Sequence, residues 1–77
     1  MQFSVTLPDH FGTPVTSAEV VYLRDVARSI YDASVPNEPD PTLRGVPLSR
    51  RSDVREGRTT KVLVLDVSGN TVARLVR

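Results

Sequence analysis

"RTTKVLVLDVSGNTVARLVR", residues 58–77, carries the densest aliphatic pattern of the chain around a single turn signal. Val62 to Val67 is apolar and β-branched enough for a strand. Ser68-Gly69-Asn70 supplies a tight turn in which Gly69 and Asn70 accept positive φ, and Thr71 to Val76 returns. A hairpin over about 59–76 follows. Its aliphatic residues fall on both sides of the ribbon: Leu63, Leu65 and Val67 on one, Val62 and Val64 on the other, with Val72, Ala73, Leu75 and Val76 spread over both.

Working outward, "QFSVTL" at residues 2–7 alternates strictly, Phe3, Val5 and Leu7 against Gln2, Ser4 and Thr6, as a half-buried strand does, and Pro8 ends it. "TSAE" at residues 16–19 is a capping box, with Thr16 or Ser17 capping a helix of about 17–33 and Glu19 reaching back. Val20, Leu23, Val26, Ala27, Ile30 and Tyr31 form one apolar stripe at helical spacing, suited to packing on a sheet. The order strand, helix, hairpin predicts a small α+β domain over 1–77. Its expected layout is βαββ, a three-stranded, mainly antiparallel sheet with one helix on one face.

One helix covers one face of a sheet. The second face therefore needs a cover: the segment 35–57 folded over it through Leu43, Val46, Leu48 and Val54, a second copy of the chain, or a foreign protein. That segment reads as a long Pro/Arg-rich loop. It opens with the three prolines of "SVPNEPDP", turns at Arg44-Gly45, and continues as "RGVPLSRRSDVREGR", residues 44–58, which holds five of the nine arginines.

Size and composition narrow the function. A chain of 77 residues buries about 60% of its unfolded surface, and without cysteine neither a disulfide nor a thiolate metal site supplements the core. The lone His10 leaves no metal-ligand set, and no calcium-loop spacing, nucleophile elbow or phosphate-binding glycine loop is present. No cofactor is implied, and no enzyme is expected. With no long apolar run and no leader pattern, the expected location is the cytoplasm and no membrane partner is expected. Nine arginines against Lys61 alone, with abundant valine, match GC-rich coding as in actinobacteria and their phages.

The net charge of +1 hides a polarity. Residues 1–43 set Arg24 and Arg28 against six carboxylates, whereas residues 44–61 set six cations against Asp53 and Glu56. Such separation favours oriented association with a charged partner. The expected contacts are Arg44, Leu48, Arg50, Arg51, Arg55 and Arg58 from the loop, Val62 and Val64 from the hairpin, and Tyr22 from the helix. The expected function is a small non-enzymatic accessory or regulatory factor, such as a phage encodes to occlude a host protein surface. Nucleic-acid binding through the arginine-rich loop is the second reading, and a homodimeric structural module the third. Against nucleic acid stand Asp53 and Glu56 within the cluster and too few aromatics for a stacking platform.

Overall fold

The computed structural model of the chain describes residues 2–32 and 41–77. Its elements are β1 (Gln2–Val5), a 3₁₀ turn (Asp9–Phe11), α1 (Ser17–Asp32), β2 (Thr42–Leu43), β3 (Val46–Pro47), β4 (Ser49–Arg55), β5 (Arg58–Leu65) and β6 (Thr71–Val76). This is a small α+β architecture. Four strands form one antiparallel sheet in the order β1-β6-β5-β4, and β2 and β3 pair separately as a short hairpin.

The expected three-stranded βαββ layout is corrected by one strand and one hairpin. Much of the segment read as a loop over 35–57 is regular structure: residues 42–47 make the small hairpin, and Ser49–Arg55 is the fourth strand of the main sheet. The reason lies in two X-Gly turns. Arg44 and Gly45 have φ of 51° and 78°, and Glu56 and Gly57 have φ of 53° and 76°. Two successive residues at positive φ make the tight turn whose twist matches a hairpin. The second of these turns folds β4 onto β5. The extended reading of the proline-rich stretch before residue 41 lies outside the described residues, as do the side chains of Ile30 and Tyr31.

Register fixes what each face of the sheet carries, because residues directly opposite across an antiparallel pair share a face. One transverse row runs Phe3, Leu75, Val62, Ser52 and the next Val5, Ala73, Val64, Arg50. These rows lie under α1, whose Leu23, Val26 and Ala27 are buried against them. Val72 is the extra residue at a bulge where Val64 pairs with Ala73 but Leu65 pairs with Thr71, and both Val72 and Ala73 are buried. Leu43 and Leu48 complete the same core, with Phe3, Val5, Leu7 and Phe11 packed at its margin.

The arginine-rich segment therefore does not cover the second face of the sheet. Its apolar residues Leu43 and Leu48 join the helix-side core, while Val54 is 63% exposed.

The helix starts as its sequence dictates. The Thr16 N–H donates to Glu19 Oε1 at 2.9 Å, and the Glu19 N–H donates to Thr16 Oγ1 at 3.2 Å. Both bonds satisfy donors that the first turn cannot pair within the helix, so Thr16 is the cap.

Candidate protein-binding face

Across the sheet from α1, the rows read differently. Ser4, Arg74, Leu63 and Arg51 stand side by side, and beside them Gln2, Val76, Lys61 and Asp53. Leu65 follows with Ser49 and Thr71 on either side, and the β4–β5 ribbon ends at the facing pair Arg55 and Arg58. No described residue forms a layer over this face. Leu63, Leu65 and Val76 are half-buried within their own sheet, and a shallow open depression crosses β1 and β6 beside Arg74 and Val76.

Five cations therefore share one face with one carboxylate. Lys61 Nζ lies 3.3 Å from Asp53 Oδ2, its cross-strand neighbour. Among the described residues, the side chains of Arg51, Arg55, Arg58 and Arg74 make no hydrogen bond or ion pair. Arg55 opposite Arg58 is a like-charge pair at the ribbon tip, an arrangement that costs stability and that an external anion relieves. Chemically, the face combines an aliphatic floor with fixed positive charge.

The other residues expected from the sequence to make contacts are placed elsewhere. Val62 and Val64 are fully buried under the helix, and Leu48 is 5% exposed in the core, so none of the three lies on a surface. The hairpin's second face is carried by Leu63 and Leu65 instead. Sequence alone showed that two faces existed; only the register with β1 and β4 shows which of them α1 takes.

Arg44 turns inward. Its guanidinium places all five N–H donors: Nε on Glu19 Oε2, Nη2 on Glu19 Oε1 and on the Pro14 carbonyl, and Nη1 on the carbonyls of Phe11 and Thr13. The hydrogen bond with Arg44, reinforced by those with Thr16, holds the Glu19 carboxyl down at a pKa of about 2. Arg50 faces the helix and donates from Nη1 to Ser29 Oγ at 2.8 Å. Tyr22 is 38% exposed, but its hydroxyl accepts the Thr42 N–H at 3.0 Å and so holds β2 against the helix.

Of the expected contacts, Arg51, Arg55 and Arg58 come together on the open face. Arg74, Leu63, Leu65 and Val76 join them without having been singled out, together with Lys61, which the nucleic-acid reading counts among its cations. The signal for Arg74 and Lys61 was present, since both alternate with buried neighbours, but alternation has meaning for a binding surface only once the covered face is known.

Asp66 sits just past β5 and is 4% exposed. Burial alone would raise its pKa, but its oxygens accept N–H bonds from Asn70 and Ser68, and His10 Nε2 lies 3.3 Å away; together these hold the carboxyl below its ordinary value. It shapes the β5–β6 turn and ties it to the 3₁₀ turn. Among the described residues no helix is long and apolar enough to cross a membrane.

Comparison with known protein families, with curated proteins and with solved structures finds no match to this chain.

Proposed function

We propose that the protein is a non-enzymatic binding module that lays the open face of its sheet against an acidic surface of another protein. The observation that carries this reading is Leu63 flanked in one row by Arg74 and Arg51, neither of which has a partner side chain among the described residues. Unpaired arginines beside aliphatic surface that a partner can desolvate are the composition of an interface hot spot.

The geometry sets the partner's pattern. Strands lie about 4.8 Å apart, so the two arginines emerge about 10 Å from each other with a leucine between them. A helix of a partner matches this by presenting carboxylates at positions i and i+7, about 10.5 Å apart, with an apolar residue at i+3 or i+4. Charge steers the approach, and the apolar contact slows dissociation. The module acts by occlusion: what it covers, it withholds from other partners. Nucleic acid is the weaker fit, because the face carries no aromatic side chain for base stacking and Asp53 interrupts its cations. A second copy seated face to face would set like charges together.

The test is retention from a bacterial lysate treated with nuclease, comparing the tagged protein with its Leu63→Asp and Arg74→Glu variants. Discrete acidic proteins held by the wild type and lost by both variants support the reading. Retention that disappears with nuclease moves the arginines onto phosphate, and equal retention by all three proteins overturns the assignment of the face.

A further inference from the structure

We propose that the outer edge of β4 pairs antiparallel with β4 of a second copy, in the register that sets Arg51 opposite Asp53 of the other chain and Asp53 opposite its Arg51. The inference concerns the edge of the sheet; it shares Arg51 with the proposed acidic-partner face, while Leu63 and Arg74 lie away from the edge. β4 ends the main sheet: β5 pairs with one side, and among the described residues no strand pairs with the other. A seven-residue strand with one free side is a template for strand addition.

The backbone polarity of that edge follows from the turn. Arg55 and Arg58 close the two-residue turn and so bond to each other, and Thr60 Oγ1 donates to the Asp53 carbonyl at 3.2 Å, so both odd-numbered residues address β5. By alternation Arg50, Ser52 and Val54 point their N–H and C=O groups outward. Pairing two copies about Ser52 sets Ser52 against Ser52 and Arg50 against Val54, so every outward group meets an outward group over the whole strand.

The side chains select the same register. About Ser52, the sequence SRRSDVR is self-complementary, with two Arg51 to Asp53 cross-strand ion pairs related by symmetry. A slip of two residues one way sets Arg51 opposite Arg51, and the other way Asp53 opposite Asp53. A slip of one residue pairs outward groups with inward ones. In the selected register Val54, 63% exposed in the single chain, lies beside the aliphatic stem of Arg50 from the second copy. The product is a continuous eight-stranded sheet with both helices on one side.

Sedimentation equilibrium of the purified protein alone tests this. The expected result is the mass of two chains for the wild type. Arg51→Asp, which breaks no side-chain bond within the chain, should weaken association about tenfold or more, as should Asp53→Arg. The combined R51D and D53R exchange should restore it, because opposite charges face again. Ser52→Pro supplies the second measurement: the lost N–H points outward, so the helix and sheet signals in circular dichroism should persist while the dimer disappears. A wild type that stays monomeric at every accessible concentration, a single reversal that leaves the dimer intact, or a dimeric Ser52→Pro variant would each overturn the proposal. The face variant Leu63→Asp should remain dimeric, which separates this interface from the acidic-partner face.

Discussion

Arg44 and Glu19, 25 residues apart in the chain, meet in two parallel hydrogen bonds of 2.9 Å, Nε to Oε2 and Nη2 to Oε1. The same carboxylate closes the capping box with the Thr16 N–H. The remaining guanidinium donors take the carbonyls of Phe11, Thr13 and Pro14. One side chain at the tip of the β2–β3 turn thus ties together the helix start, the loop before it and the small hairpin. Its planar fork suits this task as lysine's single ammonium does not.

Acid should weaken this junction. Glu19 has a pKa of about 2 in the folded chain against an ordinary 4.5, so its stabilising contribution is complete above the higher value and is lost as pH falls through the lower one. The expected observation is a thermal midpoint that drops over that interval, followed by circular dichroism. In Glu19→Gln the midpoint at neutral pH should be lower and its acid dependence flatter. An unchanged acid dependence in the variant would mean that other carboxylates carry it.

Neighbouring hairpin positions should respond oppositely to the same substitution. Val62→Asp buries a charge with no partner and should cost about 3–5 kcal/mol, a large share of the roughly 4–12 kcal/mol that a chain of this length commands. Leu63→Asp, one residue on, places its carboxylate on the open face between Arg51 and Arg74 and should leave the fold intact. Urea denaturation of the two variants checks the face assignment directly.

The Glu56-Gly57 turn offers a gain. Glu56 holds φ at 53°, a conformation that asparagine tolerates better than glutamate. Glu56→Asn should raise stability by roughly 0.5–1 kcal/mol, read as a higher urea midpoint with an unchanged slope. A loss of stability would show that the Glu56 side chain has a role that the turn geometry does not reveal.

These expectations also show where the sequence was legible. β1, α1 and the β5–β6 hairpin declare themselves by apolar periodicity, and the box at Thr16 and Glu19 announces the helix start. β4 does not declare itself, because as an edge strand it faces the core with only Arg50 and Ser52 and presents Arg51 and Asp53 on the other side. A strand without apolar alternation looks like a charged loop. Its remaining signal was glycine at 57 after a residue forced to positive φ, and glutamate is an uncommon occupant there. Arg44 misled for a related reason. Arginines that bind partners and arginines that staple loops look the same until their donors are counted.

Binding at the open sheet face is checked by amide chemical-shift mapping, with an acidic protein recovered from the nuclease-treated lysate titrated into the isotopically labelled chain. The largest changes should fall at Arg51, Leu63, Leu65 and Arg74, fading as salt rises. Changes confined to Arg24, Asp25 and Arg28 on the exposed side of α1 would contradict it, and would place the contact on the opposite side of the molecule.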